Sequence, residues 1–374
     1  AREGYRPENF DRRSRGLVRL RTALAGSLNV PAVYVLSQIG MDAFLDLCGD
    51  LGVELPPDAA ARAGLGAAVG NLEVTLLELV RAFSVFPNLG LLPELRVVRE
   101  VETSDGLRLP ILPGSEEASG RAARVLREPT AWLIFDILAD PAARSAGFGT
   151  GSRFNTSFPA MFKSGTASEY TSLWCLGADA GQTVGVWAGN FDGRPAFGST
   201  GSSLPAAVAV DILERLGAGQ GDRLPESAPR RPPGITELTI CTQTGYRAAG
   251  SCPSTRTEYY LSGSAPGIIC PVHGRGGSME ELLAQTFLGE HRRARILFPR
   301  DGMIFFREGG VAADGQSIPG WVVADPADRI ELRLNGRPVR TGDPTGLSLP
   351  VQPGRYRLEV DGRFGEDAVT YTVR

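Results

Sequence analysis

Phe162-Lys163-Ser164-Gly165-Thr166 contains the only lysine in a chain of 374 residues; the other 38 of its 39 basic side chains are arginine. Arginine is a permanently charged fork, whereas lysine is a compact ammonium whose pKa responds to burial, so the one position that keeps lysine is a candidate for chemistry that needs a point charge or a movable proton. Around it the apolar periodicity turns from helix to strand. Met161 and Lys163 alternate with Phe162 and Ser164, residues 173–178 are a short apolar run, and Val184 and Val186 alternate with Gly185 and Trp187. Three strands with short connections predict an antiparallel meander, and the amphipathic stretch 206–216 predicts a helix that covers it. The fold class expected for this part is α+β.

Upstream, residues 17–26 and 31–51 read as helices, with Leu17, Leu20 and Leu24, then Val33, Leu36 and Ile39, then Phe44, Leu47 and Leu51 at helical spacing. Ser27-Leu28-Asn29 falls in the break between them, and Pro31 suits the first turn of the second helix, where a missing N–H costs nothing. Ser27 is placed to cap that helix and also to project into a cleft. Thr75 is the expected N-cap of a structural helix through Phe83. Residues 96–101 alternate like a strand before the Ser104-Asp105-Gly106 turn, and 118–140 reads as one helix.

Lys163-Ser164-Gly165 resembles the Lys-[Ser/Thr]-Gly signature of penicillin-binding proteins and serine β-lactamases, and Ser27-Leu28-Asn29 resembles their Ser-x-Asn signature. The surrounding stretch 23–33, with Gly4-Tyr5-Arg6-Pro7-Glu8-Asn9-Phe10-Asp11 before it, is similar to the transpeptidase domain of the bifunctional class A proteins. The third signature, Ser-x-x-Lys, is absent. Only Ala160 stands three residues before a lysine, and it has no hydroxyl. The resemblance implies a nucleophilic serine encoded before residue 1, so these residues are expected to be the C-terminal part of a transpeptidase domain that is incomplete at its N-terminal side.

By the same resemblance, Ser27, Lys163 and Thr166 are the expected catalytic residues, and Asn29, Ser164, Gly165 and Thr166 the substrate-binding ones. The strand bearing Lys163 to Thr166 is expected to pair with an extended D-Ala-D-Ala stem peptide. Gly165 lets the backbones approach, and the hydroxyls of Ser164 and Thr166, two apart on one face of the strand, hold the terminal carboxylate. The Thr166 N–H completes an oxyanion hole. Lys163 is expected to share that face, attract the carboxylate and ease proton movement through Ser27; Asn29 anchors a peptide carbonyl. Ser164 replaces the commoner threonine and keeps the hydroxyl. Ser168-Glu169-Tyr170 and Thr171-Ser172 lack an Arg-Asp pair present in some relatives, which leaves substrate preference open there.

Gly, Pro and Arg dominate residues 217–234, the expected linker. The domain boundaries read from the sequence are 1–217 for the transpeptidase portion, 218–234 for the linker, 235–295 for a turn-rich cysteine-containing segment with a short helix near 280–287, and 296–374 for an all-β domain. In the last, Ile330, Leu332 and Leu334 alternate up to the Asn335-Gly336 hairpin signal, and Tyr356, Leu358, Val360 and Val369, Tyr371, Val373 form further alternating sets. An Ig-like antiparallel sandwich is expected. The segments 299–302, 334–339 and 353–356 are similar to the C-terminal domain of the 1C type of class A penicillin-binding protein.

Cys241, Cys252, Cys270 and His273 fit either one disulfide among the three thiols or a weak Cys3His zinc candidate; an exported chain favours the disulfide, and no metal is otherwise expected. Cys48 and Cys175 read as inert core residues, and His291 lies in a solvated charge run. A net charge of −3 with no basic face excludes nucleic-acid binding, and no apolar run approaches the roughly 20 residues that a membrane-spanning helix needs.

The function implied by the resemblance is peptidoglycan D,D-transpeptidation by serine acyl transfer, with β-lactam antibiotics as covalent ligands and no cofactor. The implied location is the periplasm, with anchorage to the inner membrane through a segment outside this chain. Partners would be the stem peptide and, through the C-terminal domain, other cell-wall synthesis proteins. The chain alone is expected to be inactive. A serine β-lactamase or D,D-carboxypeptidase, and a non-catalytic wall-binding scaffold, remain alternatives.

Overall fold

A computed structural model describes residues 7–11, 18–98, 100–109, 122–149, 151–167, 170–196, 198–218, 228–279, 282, 294–305, 317–324, 329–339, 347–363 and 365–374. Two compact units divide them: residues 7–236 with Tyr259–Ser264, and Glu237–Glu258 with Ala265–Arg374.

In the first unit, helix α1 (Leu20–Ala25) is followed by α2 (Asn29–Ile39), α3 (Met41–Asp50), α4 (Ala59–Ala63) and α5 (Leu76–Phe83). The single helix expected over 31–51 is two, because Gly40 takes φ +86°, a conformation that L side chains avoid, and the axes turn by 98°. Among the described residues no single helix is long and apolar enough to cross a membrane. Thr75 caps α5 as expected: its hydroxyl accepts from the Glu78 N–H while the Glu78 carboxylate accepts from the Thr75 N–H.

Four two-residue strands follow, β1 (Leu91–Leu92), β2 (Val101–Glu102), β3 (Arg108–Leu109) and β4 (Ala123–Arg124); β1 pairs with β4 and β2 with β3. The strand expected over 96–101 is thus reduced to a hairpin arm. The long helix expected over 118–140 is α6 (Glu128–Ala139), which starts where Pro129 allows, followed by α7 (Pro141–Phe148).

The meander is present as β5 (Met161–Thr166), β6 (Ser172–Ala178) and β7 (Thr183–Gly189), antiparallel in the order β5-β6-β7. Helix α8 (Leu204–Ala218) covers one face, burying Ala206, Ala209 and Leu213 with Phe154, Phe162 and Cys175. The other face meets α5 and α6 through Phe83, Phe135, Leu138, Met161 and Leu176. β5 lies at the sheet's edge, with β6 as its one partner among the described residues. This is the layering of helices on an antiparallel sheet that the sequence predicts.

β8 (Ile235–Cys241) and β9 (Thr255–Leu261) form a two-stranded sheet, and α9 (Pro271–Arg275) follows β9 through turns. Beyond it, β10 (Arg295–Phe298), β11 (Ile304–Phe305), β12 (Ile318–Val323), β13 (Glu331–Leu334), β14 (Arg337–Pro338), β15 (Leu347–Leu349), β16 (Gly354–Gly362) and β17 (Gly365–Val373) make two sheets, β10-β12-β15 and β11-β17-β16-β13-β14. Ile296, Ile318, Val322, Leu347 and Leu349 from one sheet and Leu332, Leu358, Val360, Val369 and Tyr371 from the other share one buried cluster. Two sheets closing on a common core are a sandwich.

Asn335 and Gly336 make the expected turn, both at positive φ (+51° and +75°), between Leu334 and Arg337. A charged depression on the larger sheet, lined by Glu331, Arg333, Arg357 and Glu359, holds ion pairs Arg333–Glu331 and Arg357–Glu359 and no site chemistry. The expected linker residues 219–227, the helix at 280–287 except Leu282, and His291 lie outside the described residues.

Candidate active site

Strand alternation decides where the motif's side chains go. Met161 packs with Phe83, Phe135 and Leu138 on one face of the sheet, and Phe162 packs with Phe154 and Leu213 on the other. Lys163 is in register with Leu176 of the Met161 cluster, and Ser164 with Cys175 of the Phe162 cluster. Lys163 therefore shares its face with Met161 and Gly165, while Ser164 and Thr166 share the opposite one. The expectation that ammonium and hydroxyls project from one face is corrected by the period of two.

From that face Lys163 reaches the turn between α1 and α2. Its Nζ donates to Ser27 Oγ at 2.6 Å and to the Ser164 carbonyl at 2.7 Å. Ser27 sits at φ +53°, a conformation that costs a non-glycine residue about 1 kcal/mol. It does not cap α2. Leu28 holds the N-cap position without a side-chain bond, and Asn29, expected in the break, is the first helical residue.

Two features fix this turn. The Arg21 guanidinium, 4% exposed, pairs with Asp136 at 2.5 Å and Asp140 at 3.3 Å, tying α1 to α6 and to the cap of α7. Gly147 of α7 lies so close to the Gly26 carbonyl that a Cβ there would overlap the oxygen. α7 itself is pinned by Arg144, which donates to the carbonyls of Leu138 (2.7 Å) and Phe154 (3.2 Å) and lies over the rings of Phe154 and Phe162. Burial lowers the Arg144 pKa, the Asp140 charge opposing the shift.

Lys163 is half-buried. Desolvation lowers the Lys163 pKa from 10.5 to about 8. Cys175 gives it no counter-charge, because burial pushes that thiol up to about 12 and leaves it neutral at pH 7. One pK unit above the ambient pH, Lys163 is about nine-tenths protonated at pH 7 yet can release its proton for about 1.4 kcal/mol. A group poised this way, held on a hydroxyl, suits proton transfer.

On the opposite face, Thr166 Oγ1 accepts from the Gly201 N–H at 3.1 Å, which leaves its hydroxyl proton free to donate. Gly201 belongs to Ser199-Thr200-Gly201-Ser202-Ser203, the hydroxyl-rich lead into α8, where Thr200 N–H donates to Ser203 Oγ at 2.7 Å and Ser199 and Ser203 hydroxyls bond at 2.9 Å. Sequence reasoning passes over this segment, although a glycine in a run of four hydroxyl residues at a helix start is a visible signal. A Cβ on Gly201 would overlap the carbonyl oxygens of Gly165 and Trp174. Gly201→Ala should therefore push β5 off its line and lower stability by about 2 kcal/mol, which denaturant midpoints measure.

At Gly165 a Cβ would meet Trp174 only at ordinary contact, 3.5 Å, so packing inside the sheet does not demand glycine there. Asn29 Nδ2 donates to the Glu8 carbonyl at 2.9 Å, joining the N-terminal stretch to α2. Residues 168 and 169 lie outside the described residues; Tyr170 takes φ +59° where the chain turns back into β6.

The cysteines depart from expectation. All five are free thiols, so no disulfide joins Cys241, Cys252 and Cys270. Their sulfurs and one ring nitrogen of His273 lie within 4.8 Å of one another, a tighter ligand set than the spacing suggested. Cys175 is buried as expected, and Cys48 is half-buried.

The family model for the penicillin-binding protein transpeptidase domain matches residues 2–214, more than half of the chain. Models for the penicillin-binding protein 1A C-terminal domain and the penicillin-binding protein C-terminus family match 231–275 and 285–369. The chain is 27% identical over 281 residues to penicillin-binding protein 1A of Clostridium tetani, covering 73% of this chain and 35% of that one. It is 29% identical over 268 residues to penicillin-binding protein 1C of Escherichia coli, covering 70% and 31%. It thus spans about a third of the length of the curated relatives it matches. Among solved structures, penicillin-binding protein 1A from Haemophilus influenzae shares the fold with a TM-score of 0.57 at 23% identity, over 71% of this chain and 43% of that one.

Proposed function

The chain belongs to the penicillin-binding protein transpeptidase family, and from that premise we propose that it works as part of a D,D-transpeptidase that cross-links peptidoglycan stem peptides by serine acyl transfer and is acylated by β-lactams. The observation that carries this reading is the 2.6 Å bond from the single lysine to Ser27, which joins the two family signatures across 136 residues of sequence.

Acyl transfer needs a nucleophile, donors for the oxyanion and a proton for the leaving amine. Residues 1–374 contain no Ser-x-x-Lys, so the nucleophile is a serine outside them. When it attacks the D-Ala carbonyl, its own proton passes to the lysine of its Ser-x-x-Lys segment, while Ser27 gives its hydroxyl proton to the departing amine and takes one from Lys163, whose lowered pKa makes the loss inexpensive. The proton taken from the serine then returns to Lys163, so one O–C bond forms, one C–N bond breaks and no proton is lost. The edge of β5 receives the peptide as an added strand. Thr166, its hydroxyl proton free, donates to the substrate carboxylate with Ser164, and the Lys163 charge attracts that carboxylate from the other face. The Thr166 N–H serves the oxyanion, and Asn29 takes a peptide carbonyl through the N–H that its bond to the Glu8 carbonyl leaves unused.

On this reading residues 1–217 are the transpeptidase portion, 218–234 a linker, and 235–295 and 296–374 appended modules that recruit other wall-synthesis proteins. The protein works in the periplasm, held to the inner membrane through residues other than these.

Fluorescent penicillin tests the proposal. A chain joined to its Ser-x-x-Lys segment should be labelled on that serine, and residues 1–374 alone should not. Because the proton donor is protonated Lys163, the labelling rate should be flat below pH 7 and fall as pH rises through about 8. A joined, folded chain that stays unlabelled would remove the transpeptidase reading, and a rate that rises through pH 8 would remove the role of the ammonium.

A further inference from the structure

We propose that Cys241, Cys252, Cys270 and His273 bind one Zn²⁺ ion in a structural site that staples the segment from β8 to α9. Four donors converge: every pair of ligand atoms lies within 4.8 Å. His273 Nδ1 is 3.4 Å from Cys241 Sγ and 3.3 Å from Cys270 Sγ. A tetrahedral zinc with Zn–S near 2.3 Å and Zn–N near 2.0 Å has S···N edges of about 3.5 Å and S···S edges of about 3.8 Å. The observed nitrogen–sulfur separations are already those edges. A single ring nitrogen between two thiols can satisfy only one of them by hydrogen bonding, whereas a cation at the centre satisfies all four donors.

Backbone and hydroxyl donors surround the sulfurs. Ala249 N–H donates to Cys252 Sγ at 3.2 Å and His273 N–H to Cys270 Sγ at 3.4 Å. The Thr244 and Gln243 amides donate to Cys241, and the Thr244 hydroxyl lies 3.3 Å from Cys270 Sγ. Such bonds orient thiolate ligands and tune their charge. Three thiolates and an imidazole in a compact tetrahedron select zinc over harder cations. Binding exchanges up to three thiol protons for one Zn²⁺, with no change of oxidation state.

The fold needs such a staple. No residue of 235–275 belongs to any buried apolar cluster among the described residues, although the segment orders two strands and a helix. A piece of about 40 residues without its own core is held by a metal, a disulfide or a partner. A disulfide would join two sulfurs and leave the third thiol and the imidazole without a role.

Elemental analysis of residues 1–374, purified under mild reduction, should give one zinc per chain, and Co²⁺ exchanged for it should show the charge-transfer absorption of tetrahedral thiolate ligation. Cys270→Ser and Cys241→Ser should lose the metal. Cys48→Ser should keep it, and His273→Cys, which restores four donors, should keep it as well and so separates loss of a ligand from loss of the fold. Metal-free protein with three titratable thiols in this segment would overturn the site, and so would an intact mass short by two hydrogens, which signals a disulfide.

Discussion

Lys163→Arg, the substitution that preserves charge, should slow β-lactam acylation about 1000-fold in protein that contains the acylated serine. The reason is the shape and the proton. The Nζ sits within 2.7 Å of both Ser27 Oγ and the Ser164 carbonyl, a pocket sized for an ammonium. A guanidinium is larger, planar and does not release a proton in the accessible pH range, so it can neither occupy that point nor feed Ser27. The chain uses arginine at every other basic position, so the variant asks directly whether charge alone suffices. Lys163→Met should lose as much. A rate within a few-fold of the parent for Lys163→Arg, measured by stopped-flow labelling, would show that only the charge matters.

Ser27→Ala should cost about 100-fold to 1000-fold in the same assay, because it removes the hydroxyl that links the ammonium to the leaving amine. Its backbone provides a control. At φ +53° alanine keeps the strain and glycine relieves it, so Ser27→Gly should fold with stability equal to or above that of Ser27→Ala by about 1 kcal/mol. Both should lose acylation alike. Recovery of activity in the glycine variant would mean that the turn, and not the hydroxyl, is what Ser27 supplies.

How much of this was visible in the sequence depends on whether the signal was a side-chain type or a backbone approach. The isolated Lys163, the Thr75 capping box, the Asn335-Gly336 turn and the period-two strands of the meander are local signals, and local physics enforces them. Lys163 meeting Ser27 came through the family resemblance. The parts that were missed are tertiary. Gly201 and Gly147 are needed because another backbone passes within Cβ range, and neither takes a positive φ that a turn signal would reveal. α7 is rich in Ala and Gly and has no apolar stripe, so its role in carrying Arg144 and Gly147 had no periodic mark. The face of Lys163 is legible in the sequence, since alternation alone separates it from Ser164 and Thr166. The break at Gly40 and the start of α6 at Glu128, one residue before Pro129, are marked by punctuation and not by apolar spacing.

Because the chain has one lysine, ¹⁵N-lysine labelling gives one side-chain ammonium resonance, and its pH titration in residues 1–374 reads the site without any assay of activity. A midpoint near 8 that moves in Ser27→Ala is the result expected of an ammonium desolvated against that hydroxyl. A midpoint at the ordinary 10.5, unmoved by Ser27→Ala, would place the ammonium in water and contradict the pairing.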